Sequence, residues 1–166
     1  MVNSNYRIKM SCGVAIRKQQ QSLQTVMTHA SFALKYVKKN PREHIWFFDP
    51  VLHEQEKIDN YIESNMQNAL KAGELKLYLQ PKVDLNDHTL CGAEALTRWR
   101  KSDGSMIFPS QFIPIFEQTG FCVELDLYVV EKVCQLLREW MDCGYQAIPI
   151  SVNQTKLAFY EEDYAN

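Results

Sequence analysis

The chain has 166 residues, of which 46% are hydrophobic and 23% are charged, and its formal net charge is -2. This composition is typical of a globular protein with an apolar core, and the small net charge excludes a strong field that would attract a nucleic acid polymer or an anionic membrane. No apolar run approaches the roughly 18 residues of a membrane span, and residues 1–10 lack the apolar core of a signal peptide.

The cysteines stand at positions 12, 91, 122, 134 and 143, and no two of them form a CxxC pair. An odd number of cysteines at this spacing indicates neither a disulfide framework nor a zinc site. We therefore expect a reducing, cytoplasmic environment and no membrane contact from this segment. This expectation is compatible with a membrane anchor in another part of a longer parent protein.

The first part of the chain predicts a strand, a helix and a second strand. Apolar residues alternate from Tyr6 to Ile16, which indicates a strand with one core face. Apolar residues then follow helical spacing over 23–37, with Ser22 as the predicted N-cap and Pro41 as the stop. Residues 44–48 predict the second strand. A piece of about 50 residues is below the size that usually folds alone.

A second helix is predicted over Leu52–Lys71, with Gly73 as its C-terminal stop. We interpret it as a connecting helix that packs on the next domain. A strand follows, in which Leu75, Leu77 and Leu79 share one face. Gln80 lies on the other face, and Pro81 is expected to end the strand.

The next strand, predicted over Leu90–Leu96, has a carboxylate inside it. Counting by twos, Glu94, Leu96 and Arg98 point to the same side if the strand extends that far. A buried charge is costly unless it binds a metal or a partner. This stretch alone leaves two interpretations open, a surface ion pair on an edge strand and a functional site.

The remaining elements are two helices and a strand. Residues 114–119 predict a short helix with Pro114 in its first turn. A longer helix is expected to start near Glu124 and Asp126 and to end before Gly144. Apolar residues alternate again over 148–152, and this third strand ends at the amide of Asn153.

Strands that alternate with helices indicate an α/β layer fold. Polar residues recur where the predicted strands end, namely Gln80, Glu94 with Arg98, and Asn153. In (β/α) barrels the active site is built at the carboxyl ends of the strands. This recurrence favours a functional site over a surface ion pair.

Five segments then carry a resemblance to a known family. They are LQPKVDL at 79–85, GAEALTRW at 92–99, PSQFIP at 109–114, EQTG at 117–120 and ISVN at 150–153. In this order and spacing, residues 75–166 resemble the first part of an EAL domain, the cyclic-di-GMP phosphodiesterase family. Residues 51–74, which precede this range, are interpreted as the connecting helix.

The amino-terminal piece resembles the tail of a second family. The segment SCGVA at 11–15 looks like the late strand of a GGDEF domain, the diguanylate cyclase family. The segment ASFAL at 30–34 looks like the final helix of that domain. The resemblance is degenerate, since Ser31 stands where that family usually has an acid and Lys35 where it usually has a tyrosine. Residues 1–50 are therefore interpreted as the C-terminal remnant of an α+β GGDEF-like domain.

The EAL resemblance implies an incomplete (β/α)8 TIM-like barrel that hydrolyses cyclic-di-GMP to linear pGpG with two Mg²⁺ or Mn²⁺ ions. Such hard cations prefer carboxylate and amide oxygens. By position, Glu94 and Asn153 resemble metal ligands, while Gln80 and Arg98 resemble residues that hold the dinucleotide. Leu96 resembles a residue that packs near a base. The resemblance also allows for EAL-type dimerisation.

Residues 51–166 number 116, whereas a complete barrel of this kind has about 250 residues. The resemblance places the family's other acidic ligands and its general-base lysine on later strands, so no catalytic set is complete in this chain. We therefore expect the chain alone to be inactive. Two alternatives remain: a non-catalytic cyclic-di-GMP-binding or regulatory module that keeps Gln80 and Arg98, and a purely structural interaction partner.

Overall fold

A computed structural model describes residues 9–40 and 42–156 of the chain. The chain divides into two compact units, Met1–Lys57 and Ile58–Asn166. The boundary between them falls within the helix Pro50–Lys71. The predicted boundaries at residues 50 and 74 remain predictions.

The first unit contains two short parallel strands and a helix. Its elements are β1 (Cys12–Val14), α1 (Leu23–Lys39), β2 (Ile45–Phe47) and the first residues of α2 (Pro50–Lys71). Gly13 of β1 lies opposite Trp46 of β2. A side chain on Gly13 would collide with the backbone of Ala30 and Leu34, so glycine permits the close approach of α1 to β1.

The predicted helix of this unit is confirmed, and so is its N-cap. The Ser22 hydroxyl accepts a hydrogen bond from the backbone N–H of Thr25 at 3.1 Å, which satisfies one of the free donors of the first turn. The strand predicted over residues 6–16 is shorter where it is described, because only Cys12–Val14 pair with β2. Residues 6–8 and Pro41 lie outside the described residues.

The second unit is built around a mixed sheet with helices on one of its faces. After the rest of α2, its elements are β3 (Leu75–Val83), β4 (Leu90–Arg100), β5 (Met106–Ile107), α3 (Pro109–Thr119), α4 (Cys122–Asp142) and β6 (Ile150–Val152). Strands β3 and β5 pair with β4 in antiparallel fashion, whereas β6 pairs with β4 in parallel. The described part of the chain thus has a mixed α/β fold.

The core of this unit lies between β4 and the helices. Trp99 of β4 is fully buried together with Phe112 and Phe116 of α3. Ala95 points to the same side as Trp99, because residues alternate along a strand. The other side of β4 therefore carries Glu94 and its alternate neighbours.

Two predictions about prolines are wrong. Strand β3 does not end at Pro81 but continues to Val83, with Pro81 opposite Ala93. Since β3 is at an edge of the described sheet, a residue without an N–H is tolerated there. Helix α3 begins at Pro109, so Pro114 lies inside it and not in its first turn. Phe112 and Phe116, on either side of Pro114, are fully buried.

None of the helices within residues 9–40 and 42–156 combines the length and the apolar character that crossing a membrane requires.

Candidate functional site

Strand β4 places Glu94 between polar residues of both neighbouring strands. Gln80 of β3 is the antiparallel partner of Glu94, and Ser151 of β6 is its parallel partner. Paired residues project to the same side of a sheet. The three strands therefore bring Gln80, Glu94 and Ser151 into one row on the side opposite Trp99.

Gln80 was predicted to end its strand, at an edge where the carboxyl ends of neighbouring strands meet. Instead, β3 continues to Val83. Strands β3 and β4 are antiparallel, so their carboxyl ends lie at opposite edges of the sheet. Gln80 is next to Glu94 because of the register of the two strands.

Asn153 lies directly after β6 and contacts Glu94. Because Val152 is the parallel partner of Ala95, Asn153 follows on the Glu94 side of the sheet. Its side-chain nitrogen Nδ2 donates a hydrogen bond to Glu94 Oε1 at 2.9 Å. Glu94 is half-buried and Asn153 is exposed. The sequence-predicted pair is therefore brought together by two neighbouring parallel strands.

Arg98 and Leu96 border an opening at the end of β4. A cavity of about 330 Å³ is lined by residues that include Leu96, Arg98, Asp126 and Asn153. Arg98 Nη1 donates to the carbonyl oxygen of Thr97 at 2.9 Å, and among the described residues Arg98 forms no ion pair. Gln80 and Glu94 are not among the residues that line this cavity.

Sequence reasoning assigned no role to Lys82, which the structure places near the same row. Lys82 Nζ donates to the hydroxyl of Ser151 at 2.6 Å. The Lys82 ammonium therefore lies on the face of the sheet that carries Glu94. The signal that could have identified it is alternation along β3, where Lys82 follows Gln80 by two residues.

Asp126 was expected near the start of the long helix, but α4 begins at Cys122. The Asp126 side chain is only 5% exposed, and its Oδ2 accepts a hydrogen bond from the backbone N–H of Thr155 at 2.7 Å. Burial raises the pKa of the Asp126 carboxyl above its ordinary value, while the contacts with Thr155 act in the opposite direction. The available signal was an acid between the apolar positions Leu125 and Val129.

The side chains around Glu94 offer only part of a ligand set for a divalent cation. Within the described ranges, no group of three or more His, Cys, Asp or Glu side chains could hold a metal ion. Glu94 and Asn153 nevertheless place a carboxylate and an amide, both with oxygen donors, at hydrogen-bond distance on neighbouring strands. Oxygen donors of this kind suit Mg²⁺ or Mn²⁺ as part of a ligand set.

Comparison with known proteins adds a family match to this geometry. The sequence model of the EAL domain matches residues 63–166. This range contains all five site residues inferred from the sequence and excludes the whole of the first unit.

Two curated relatives come from Pseudomonas aeruginosa. The bifunctional diguanylate cyclase/cyclic di-GMP phosphodiesterase MucR is 30% identical over 154 residues, which cover 92% of this chain and 22% of MucR. The cyclic di-GMP phosphodiesterase NbdA is 28% identical over 144 residues, which cover 86% of this chain and 18% of NbdA. The chain thus spans about a fifth of the length of these relatives.

Solved structures with EAL domains also match this chain. The complex of the PaMucR phosphodiesterase with c-di-GMP matches with a TM-score of 0.57 and 32% identity, covering 63% of this chain and 42% of that chain. The Xanthomonas citri FimX EAL domain in complex with c-di-GMP matches with a TM-score of 0.56 and 25% identity, covering 68% and 42%. Vibrio cholerae LapD S helix-GGDEF-EAL has a similar fold, with a TM-score of 0.54, 21% identity and coverage of 93% and 36%.

Proposed function

Because the chain belongs to the EAL domain family, we propose that it is the first part of a domain that hydrolyses cyclic-di-GMP to linear pGpG in a longer parent protein. Relatives with that activity in their names support this proposal. The observation that carries it is the 2.9 Å contact between Asn153 Nδ2 and Glu94 Oε1. On this proposal the second unit is the first part of an incomplete (β/α)8 barrel.

Glu94 and Asn153 are the proposed cation ligands. In the parent protein, two Mg²⁺ or Mn²⁺ ions would lower the pKa of a bound water and stabilise the attacking and leaving oxygens. The residues described here supply only a part of such a site. Glu94 contributes a carboxylate oxygen from β4, and Asn153 contributes an amide oxygen once its side chain turns away from its present contact.

Arg98, Leu96 and Gln80 are the proposed dinucleotide-binding residues. An arginine has a planar fork of donors that suits a phosphate, and the Arg98 guanidinium borders the cavity at the end of β4. Leu96 borders the same cavity and offers an apolar surface to a base. Gln80 holds the part of the nucleotide that reaches the Glu94 row, since it is the strand partner of Glu94.

The first unit is proposed to be the end of a degenerate GGDEF domain. Two comparisons support this proposal. The FimX EAL domain covers 68% of this chain, whereas the LapD structure, which includes a GGDEF domain, covers 93% of it. A match over 93% of the chain is longer than the second unit alone, so it includes part of the first unit, which contains β1, α1 and β2. A cytoplasmic location and EAL-type dimerisation stay predictions.

Arg98→Ala is expected to weaken cyclic-di-GMP binding by about tenfold or more. A hydrogen bond to a charged group contributes about 1.5–3 kcal/mol, and 1.4 kcal/mol corresponds to a factor of about ten in the dissociation constant. The measurement is a calorimetric titration of cyclic-di-GMP into the wild-type and variant proteins in the presence of Ca²⁺, which occupies cation sites.

Arg138→Ala is the matched control, because Arg138 is an exposed arginine of α4 that pairs with Asp142 at 2.8 Å. It should leave the dissociation constant unchanged. Equal losses in Arg98→Ala and Arg138→Ala would show that the arginine effect is general electrostatics and would contradict the proposed role of Arg98.

The 166-residue chain alone is expected to give no linear product when it is mixed with cyclic-di-GMP and Mn²⁺. Glu94 of β4 and Asn153, which follows β6, supply only two ligands, too few for the two ions that the proposed hydrolysis needs. The reaction is followed by chromatography of the nucleotides. Turnover that disappears in Glu94→Ala would contradict this expectation. Binding without turnover, in a parent protein that is also inactive, would favour the alternative of a non-catalytic binding or regulatory module.

A further inference from the structure

Asp126 is a buried carboxylate that has no role in the proposed chemistry. It lies in the second turn of α4 beside the core residues Leu125 and Val129. No ion pair involves Asp126 in the part of the chain that the structure describes. A buried carboxylate without a counter-ion costs free energy, and a hydrogen bond must offset this cost.

That hydrogen bond goes to the segment that leaves β6. Asp126 Oδ2 accepts the backbone N–H of Thr155 at 2.7 Å. Hydrogen bonds to an ionised acceptor are shorter and about twice as strong as neutral ones. Strand pairing ends at Val152, so the residues from Asn153 onward are not held by the sheet. The contact with Asp126 is therefore an anchor for this segment, two residues beyond Asn153.

Asn153 lies between two points that are fixed. On one side, Val152 is held in the ladder with β4, and on the other, Thr155 is held by Asp126. The side chain of Asn153 reaches Glu94 from this position, at 2.9 Å. We infer that Asp126 is a positioning residue, which holds Asn153 beside Glu94 by fixing Thr155.

The anchoring can be tested without any ligand, whereas its consequence for cation binding rests on the proposed function. The first measurement is hydrogen–deuterium exchange at the Thr155 amide. In Asp126→Ala this exchange should become at least about tenfold faster, because the amide loses its acceptor. Asp126→Asn retains an oxygen at the same position and should keep the exchange close to that of the wild type.

The second measurement is a calorimetric titration of Mn²⁺ into the longer parent protein and into its variants with the same substitutions. Loss of a residue that orients a metal ligand typically weakens metal affinity by about 10–100-fold, so Asp126→Ala should weaken Mn²⁺ binding by at least about tenfold. Asp126→Asn should restore most of the affinity.

Val133→Ala is the control for a general loss of core packing. Val133 is a buried residue of α4, also 5% exposed, and it does not border the cavity at Asn153. It should lower the melting temperature while Thr155 exchange and Mn²⁺ affinity stay unchanged. Unchanged Thr155 exchange in Asp126→Ala, or equal effects of Val133→Ala, would overturn the inference. Faster Thr155 exchange in Asp126→Ala, in a longer parent protein whose wild type binds no Mn²⁺, would support the anchor and contradict the proposed function.

Discussion

Replacing Glu94 by Gln is expected to reduce the hydrolysis of cyclic-di-GMP by the longer parent protein by at least about 100-fold. Even residues that only orient a metal ligand cost about 10–100-fold when they are changed, and Glu94 is proposed to contact the cation itself. The substitution keeps the size of the side chain and its ability to hydrogen-bond Asn153, which lies 2.9 Å away. The loss would therefore report the carboxylate charge, and the rate of linear product formation measures it.

Glu131→Gln provides the control for Glu94, because Glu131 is an exposed acid of α4 that accepts a hydrogen bond from Gln135 at 2.8 Å. It removes the same charge at a distance from the β4 face and should leave the rate unchanged. A Glu94→Gln protein with nearly wild-type turnover would contradict the assignment of Glu94 as a cation ligand.

Replacing Trp99 by Ala is expected to destabilise the second unit by about 3–5 kcal/mol, the usual cost of removing a large buried aromatic side chain. Trp99 is fully buried, and its ring lies 6.1 Å from the rings of Phe112 and Phe116. Its Nε1 also donates to Glu74 Oε2 at 3.0 Å. Since a whole domain is stable by only about 5–15 kcal/mol, the substitution would remove a large fraction of the stability of the unit. Urea denaturation measures the change.

Tyr145→Ala gives the comparison for Trp99, because Tyr145 is an aromatic residue that is 69% exposed. Exposed side chains contribute little to packing, so the free energy of unfolding should change by less than about 0.5 kcal/mol. If Trp99→Ala had an effect as small as that of Tyr145→Ala, the core described between β4 and α3 would be incorrect.

The local part of the site could be predicted from the sequence. Glu94 and Arg98 are four residues apart in one strand, and the alternation of side chains along a strand places both on one side whatever the strand pairs with. The N-cap at Ser22 was predictable for a similar reason, since Ser22 and the Thr25 N–H that donates to it lie within one turn.

The long-range part could not be predicted by the same reasoning. The pairing of Gln80 with Glu94 depends on the antiparallel register of β3 and β4, and periodicity within one strand does not encode register. The contact of Asp126 with Thr155 joins a helix to the end of another strand. In the sequence, Asp126 looked like an acid near a helix start, where acids are favoured by the helix dipole. The resemblance to the EAL family supplied the pair of Glu94 and Asn153 that physical reasoning alone left open.

The most direct test of the central claim is a double-mutant cycle on the Mn²⁺ affinity of the longer parent protein, with Glu94→Gln, Asn153→Ala and the double variant. If both side chains hold one cation, the loss in the double variant should differ from the sum of the two single losses by about 0.5–3 kcal/mol, as for residues in contact. Each single variant should weaken binding by about tenfold or more. Unchanged affinity in both single variants, or losses that add within about 0.5 kcal/mol, would contradict a shared cation site at Glu94 and Asn153.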